Sequence, residues 1–199
     1  MGKASLSKKA ISAAAIGLII LIGLVLVLTL ARGREQEALK PGQFAADDFS
    51  VYNNKVQISL GDSEEKVIQQ IGDPKDIDFL GRWEYDGLKL HFKDGRLDGI
   101  TMDDETVQGI KYKTARGICI GSSYQEVLDQ YGSNGILLEE SGRKALIFLV
   151  ELVDGAYELR SSAATVVNRD NILVISLNFY TNDVLNHIMI GDYKYAYNP

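Results

Sequence analysis

Residues 61–72 read GDSEEKVIQQIG, and a similar phrase, GSSYQEVLDQYG, follows sixty positions later at residues 121–132. A short apolar run precedes each copy. The residues that are identical between the two copies, counting the apolar run before each, are Ile58/Ile118, Gly61/Gly121, Ser63/Ser123, Val67/Val127, Gln70/Gln130 and Gly72/Gly132. An internal repeat of this kind indicates one supersecondary unit that is used twice. It defines an architecture and supplies no catalytic group.

Each phrase predicts a short helix with its own start and stop signals. Asp62 and Ser122, each followed three residues later by Glu or Gln, fit a capping box, and the serine one position further on is the alternative cap. The apolar residues recur on one helical face. Gly72 and Gly132 fit the left-handed position that closes a helix. Because a helix of about nine residues is marginal alone, its apolar face is predicted to lie against a sheet.

Alternating apolar residues and Asp-Gly turns predict antiparallel strands after each helix. The predicted strands cover 82–85, 88–92 and 97–102 in the first copy and 144–153, 156–162, 172–180 and 184–190 in the second. The predicted fold class is therefore α+β, with two tandem repeats that are each a short helix packed on an antiparallel β-meander. The second copy carries polar insertions at 133–143 and 163–171, where copy-specific function is expected.

Residues 10–31 contain no charged side chain. At about 1.5 Å per residue they are long enough to cross a ~30 Å hydrocarbon core, so we interpret them as one N-terminal transmembrane helix, an uncleaved signal anchor. A cleaved signal peptide is the alternative. The predicted organisation is a cytoplasmic tail (1–9), the transmembrane anchor (10–31), a tether (32–54), repeat 1 (55–112) and repeat 2 (113–199). The positive-inside rule nearly ties, and the short tail favours an extracytoplasmic C-terminal domain at the cell membrane.

Charge is distributed unevenly along the 199 residues. The first 34 residues hold five basic side chains and no acid, whereas the other 165 hold 16 of the 21 basic and all 27 acidic side chains, a formal charge of −11. Such a body repels phosphate backbones, so nucleic acid is excluded as a predicted partner. A cationic protein surface or a divalent ion suits it better. Cys119 is the single cysteine, so neither an internal disulfide nor a cysteine zinc site is predicted.

The first copy also resembles a known family. Its pattern is Gly61-x-Ser63-x-x-x-Val67-x-x-x-x-Gly72-x-Pro74, then Trp83-x-Tyr85, Leu88-x-Leu90-x-Phe92, Gly95 and Ile100. This pattern resembles the SmpA/OmlA (BamE-like) module, whose fold group includes the tandem-repeat β-lactamase inhibitor proteins. The second copy matches well only in its helix. The resemblance implies a non-enzymatic, protein-binding or scaffolding module of the bacterial cell envelope, whose partner is another envelope or membrane protein.

Seven side chains are predicted to mediate interaction. Tyr and Trp provide large contact areas with a polar group, and a histidine can add a pH-sensitive contact. The candidate interaction residues are Trp83, Tyr85, His91, Tyr180, Tyr193, Tyr195 and Tyr197. Structural alternatives exist: Trp83 and Tyr85 pack over the helix, His91 is a plain surface residue, and the C-terminal tyrosines form a terminal edge strand.

No catalytic, cofactor-binding or metal-binding residue is predicted, because the sequence has no phosphate loop, nucleophile elbow or His-Glu-x-x-His motif. Two functional alternatives to a binding module stay open. One is a carboxylate-dependent cell-wall or polysaccharide enzyme using acids around Asp76, Asp78 or Asp103. The other is a ligand or ion sensor, although the acidic runs lack the spacing of a calcium loop.

Overall fold

The computed structural model of the chain describes residues 40–104, 111–162 and 169–197. The strands are β1 (Ser50–Tyr52), β2 (Gln57–Ser59), β3 (Asp76–Ile77), β4 (Trp83–Tyr85), β5 (Leu88–Lys93), β6 (Arg96–Asp103), β7 (Lys113–Thr114), β8 (Ile136–Glu140), β9 (Arg143–Val153), β10 (Ala156–Arg160), β11 (Ile172–Phe179) and β12 (Leu185–Asp192). The helices are α1 (Glu64–Ile71), α2 (Tyr124–Tyr131) and α3 (Tyr193–Tyr197), with 3-10 turns at Ala46–Phe49 and Arg169–Asn171.

Most strands belong to one antiparallel sheet of nine. Its order is β10-β9-β11-β12-β6-β5-β4-β3, and β8 also pairs with β9. Strand β9 is long enough to pair with β8 through residues 143–147 and with β10 through residues 149–153, on the side opposite β11. A second, small sheet has the order β2-β1-β7.

The last strands of the two repeats, β6 and β12, pair with each other. Ile100 lies opposite Ile190, and Met102 lies opposite Ile188. Each strand alone would end its meander with unpaired backbone groups and apolar side chains at an edge. Pairing satisfies both backbones and buries all four of these side chains to 1% exposure or less.

The predicted fold class is therefore wrong. The chain is mostly antiparallel sheet, and its two repeats share one sheet instead of each closing a helix-on-meander unit. The predicted transmembrane helix and signal anchor are also corrected, because none of the helices in residues 40–104, 111–162 and 169–197 is both long and apolar enough to cross a membrane. The segment on which that prediction fell, residues 10–31, lies outside the described residues.

The helix caps lie one residue later than Asp62 and Ser122, the first choice from the sequence, and the closing glycines lie where they were predicted. Ser63 and Ser123 are the helix caps, and each accepts a hydrogen bond at 3.2 Å from the backbone amide three residues on. Glu126 completes a capping box by accepting from the Ser123 amide at 2.6 Å. Gly72 and Gly132 close the helices with φ of 84° and 83°, a region open mainly to glycine.

The β6–β12 pair relates the two repeats by an approximate two-fold axis. Leu97 exchanges backbone hydrogen bonds with the segment just before α1, and Leu185 does the same before α2, so these two leucines are equivalent. Four residues further along each strand, Thr101 is therefore the counterpart of Met189. Those two residues lie opposite each other, and the axis passes between them.

The two faces of the large sheet differ in what covers them. The helix face carries the main apolar core, to which both α1 and α2 contribute, with Val67 and Val127 fully buried. The opposite face carries a smaller apolar cluster of Leu149, Ile172 and Val174, against which side chains of α3 pack. An interaction residue therefore belongs to one of two quite different surroundings.

Candidate functional site

Trp83 and Tyr85 lie on the helix face of β4. The Trp83 ring packs on Phe92 at a centroid distance of 4.6 Å, and the Tyr85 hydroxyl donates to the carbonyl of Gly72 at 3.2 Å. Both rings are half-buried and pack against the main core. This is the packing alternative for the pair, and Tyr85 in addition lines an open cleft.

That cleft, called here the repeat-1 cleft, lies between α1, the β4–β5 turn and the small sheet, and has a volume of about 240 Å³. Aromatic, aliphatic and polar side chains line it. Its lining is Asn53, Lys55, Val56, Gln70, Ile71, Asp73, Lys75, Tyr85, Asp86 and Tyr112. A mixed lining of this size with a few polar groups is typical of a binding site.

Charge at the repeat-1 cleft sits at its rim and is internally balanced. Lys75 Nζ lies 2.5 Å from Asp86 Oδ1, with both side chains exposed. Burial, and then the charge of Asp73, raise the pKa of Tyr85 to about 12. Burial also raises the pKa of Tyr112. Both phenols are therefore neutral at physiological pH and present a hydroxyl beside a ring, which suits a polypeptide better than a phosphate or a metal ion.

Gln70 gives the repeat-1 cleft a polar feature of its own. Its Oε1 atom is buried and has no hydrogen-bond partner within residues 40–104, 111–162 and 169–197. A buried acceptor without a partner costs roughly 1–3 kcal/mol. A bound backbone or side-chain donor would recover that free energy once the Gln70 side chain turns toward the cleft.

His91 lies on the opposite face of the sheet and is held there by neighbours. Its Nδ1 is 2.6 Å from Asp98 Oδ1, and its ring stacks on Tyr195 at 5.3 Å. The Tyr195 hydroxyl is in turn 2.8 Å from Thr101 Oγ1. Burial raises the pKa of Asp98, against the lowering effect of His91. The arrangement anchors α3 to the sheet.

The three C-terminal tyrosines form a helix and not the edge strand considered from the sequence. Tyr195 is 7% exposed. The rings of Tyr193 and Tyr197 lie 4.7 Å apart. Tyr193 joins the small apolar cluster, while Tyr197 is 45% exposed. The spacing of two residues thus places Tyr195 between α3 and the sheet, and Tyr193 and Tyr197 next to each other on the side of α3.

Tyr180 lies at the end of β11, away from the repeat-1 cleft. Its hydroxyl donates to Asp104, and its ring is 41% exposed. It borders a wide depression with Leu138, Lys144 and Asn186. The seven predicted residues are therefore dispersed over both faces, and only Tyr85 contributes to the repeat-1 cleft.

The acids considered for catalysis have structural partners. Asp78 pairs with Arg82 at 2.7 Å and accepts the backbone amides of Leu80 and Arg82. Asp76 accepts the amide of Ile77 at 2.8 Å, and Asp103 lies 3.6 Å from the amino group of Lys89. Within the part of the chain that the structure describes, no three His, Cys, Asp or Glu side chains group as a metal site would require.

The sequence prediction missed most of the cleft and an apolar hairpin beside it. Phe79, Ile77 and Leu80 are 94%, 55% and 40% exposed in the β3–β4 hairpin, which begins just after Lys75. The missed signal lay in the repeat itself. Residues 56 and 71 are Val and Ile, whereas the residues sixty positions later are Arg and Tyr.

No family model, curated protein or solved structure matches this chain. The resemblance to the SmpA/OmlA module and the envelope partner that it implies therefore stay predictions.

Proposed function

We propose that this chain is a non-catalytic, polypeptide-binding module and that the repeat-1 cleft is its binding site. The observation that carries the proposal is Gln70, whose side chain lines the cleft beside Ile71 and Tyr85 and whose buried Oε1 has no hydrogen-bond partner among the described residues. A bound chain would supply an amide donor to Gln70 and apolar surface to Tyr85 and Ile71. Peptide groups carry both kinds of contact together.

Two further features support a protein partner. The rim charges of the cleft cancel, as in the Lys75–Asp86 pair, so a neutral peptide backbone meets no strong field there. The exposed hairpin residues Ile77 and Phe79 extend the apolar surface next to the cleft, and exposed apolar patches mark interaction surfaces.

A displayed random-peptide library tests the proposal. The selection uses the full chain, and Tyr85→Ala serves as the counter-selection because it removes the ring and hydroxyl from the cleft wall. We expect enriched peptides whose binding weakens at least about tenfold on Tyr85→Ala or Gln70→Ala, as hot-spot truncation does.

Tyr180→Ala is the matched control, since that tyrosine is exposed and lies outside the cleft. Thermal unfolding of each variant separates lost binding from lost folding. Failure to enrich any peptide, or enrichment of peptides that bind all variants equally, would contradict a binding site at the repeat-1 cleft.

A further inference from the structure

In repeat 2, the chain's own residues 40–49 cover the end of α2. The Phe44 ring lies 5.4 Å from the ring of Phe148 and 6.3 Å from that of Tyr131. The Arg116 guanidinium lies 5.2 Å over the Phe44 ring. Phe44 is 8% exposed, so this aromatic site is filled and closed.

The residues around Phe44 have counterparts in repeat 1. The sixty-residue spacing relates positions 56 to 116 and 71 to 131. The strand registers relate β4 to β9. Trp83 of β4 lies opposite Leu90, and Leu146 of β9 lies opposite Leu177. Because Leu90 and Leu177 occupy equivalent positions in their repeats, Trp83 and Leu146 are equivalent as well. The counterparts are Val56 and Arg116, Ile71 and Tyr131, and Tyr85 and Phe148. The three repeat-1 members of these pairs all line the repeat-1 cleft.

The helix ends show the same contrast. A Cβ built on Gly132 would lie 3.2–3.4 Å from atoms of Pro41 and Gly42, because these two residues cover the end of α2. A Cβ built on Gly72, its counterpart, meets no atom of residues 40–104, 111–162 and 169–197 within 4 Å. The Gly42 amide also donates to the Tyr131 carbonyl at 2.9 Å. Among the described residues, none covers the end of α1 in the way that Pro41 and Gly42 cover the end of α2.

We infer that the repeat-1 cleft binds a segment of a partner polypeptide that resembles residues 40–49 of this chain: a Pro-Gly pair followed two residues later by an aromatic anchor. The inference deepens the proposed function and rests on it. The aromatic ring enters between Val56, Ile71 and Tyr85. The Pro-Gly pair lies over Gly72, and its glycine amide donates to the Ile71 carbonyl.

One difference between the repeats defines which part of the segment is dispensable. In repeat 2, Arg116 forms a two-pronged ion pair with Asp48, at 2.6 and 3.0 Å, and so fixes the acidic end of the segment. Its counterpart, Val56, carries no charge. The partner segment therefore needs the aromatic anchor and the Pro-Gly pair, but no acid four residues after the anchor.

The experiment titrates the full chain with the synthetic peptide KPGQFAADDF, which copies residues 40–49, and follows backbone NMR shifts. We expect saturable shifts at Val56, Ile71 and Tyr85. Replacing the peptide's Phe by Ala should weaken binding at least about tenfold, as for an aromatic hot spot. Replacing the Asp that copies Asp48 by Asn should leave wild-type affinity within about twofold, since Val56 offers no charge to it.

Val56→Arg places a guanidinium at the position equivalent to Arg116. It distinguishes the proposed binding mode from non-specific hydrophobic binding, which would not depend on this charge. This variant should bind the acidic peptide about fivefold or more tighter than wild type does, and the gain should vanish for the Asn peptide, because a charge-assisted pair needs the carboxylate. Lys55→Arg, which adds no charge beside the same position, is the control and should bind both peptides equally.

Equal binding of the Phe and Ala peptides would overturn the inference. So would shifts confined to Tyr131 and Phe148, which would mean that the peptide only displaces the chain's own segment. If the library peptides bind the repeat-1 cleft and KPGQFAADDF does not, the proposed function stands and the segment chemistry is wrong. If Val56→Arg does not fold, the Phe-to-Ala comparison on the wild-type chain decides.

Discussion

Asp48 Oδ1 lies 2.6 Å from Arg116 Nε, and the two side chains are only 0% and 4% exposed. Arg116 also donates to the carbonyl oxygens of Gln130 and Gln43. The pair thereby fastens residues 40–49 to α2. A buried pair with satisfied hydrogen bonds leaves an uncompensated charge when one partner is removed.

Arg116→Ala is therefore expected to lower the free energy of unfolding by about 3–5 kcal/mol. Urea unfolding measures the loss. Lys75→Ala is the matched control, because it breaks an exposed pair with Asp86 and should change stability by less than about 1 kcal/mol. Similar losses in the two variants would contradict a structural role specific to the buried pair.

Gly99→Ala tests the packing of α3 on the sheet. A Cβ at Gly99 would lie 2.4–2.5 Å from atoms of the Tyr195 ring, so the ring could not keep its position. We expect a loss of about 1–3 kcal/mol from overpacking. The loss should fall to a small fraction in the Tyr195→Ala background, measured as a double-mutant cycle. Additive losses would show that Gly99 and Tyr195 do not interact.

His187 predicts a dependence of stability on pH. Burial, as the largest effect, lowers its pKa from the ordinary 6.5. The unfolded chain then binds the proton more readily than the folded chain, so the contribution of His187 is complete above pH 6.5 and is lost as the pH falls below it. His187→Gln should flatten the wild-type decline between about pH 6.5 and 5 in urea unfolding. Identical pH profiles would contradict the assignment.

Because β6 and β12 pair within one sheet, we expect the two repeats to unfold together. Trp83 is the only tryptophan and lies in repeat 1, so its fluorescence reports that repeat. Ser123→Ala removes a helix cap in repeat 2 and should cost about 1 kcal/mol. We expect the Trp83 transition in urea to shift by that amount, as it should for Ser63→Ala in its own repeat. If Ser123→Ala left the unfolding transition of Trp83 fluorescence unchanged, the two repeats would unfold independently.

The elements that local chemistry determines could be predicted from sequence. The two helices to within one residue at their starts, the closing glycines and most strand bounds follow from signals within a few residues of each other. The Asp94-Gly95 turn is one such signal: both residues have positive φ, as a tight hairpin requires.

The joining of the repeats could not be predicted in the same way. Ile100 and Ile188 alternate as strand residues should, but alternation does not name the strand that pairs beside them. Phe44 and Asp48 sit in a segment without periodicity, and residues distant in the sequence bury them: Phe148 and Arg116 contact the Phe44 ring, and Arg116 pairs with Asp48. Of the candidate interaction residues, Tyr85 alone reaches the repeat-1 cleft, because the pattern identified aromatic side chains and not the open space next to them.

The β6–β12 pair also has a consequence for how the protein is made. β6 leaves the ribosome long before β12 exists, and at roughly 5–20 residues per second the interval lasts several seconds. During that time the nascent chain shows a bare strand edge flanked by Ile100 and Met102. A chain that ends before His187 would lack every residue of β12 that pairs with β6, and that edge would then stay bare after synthesis.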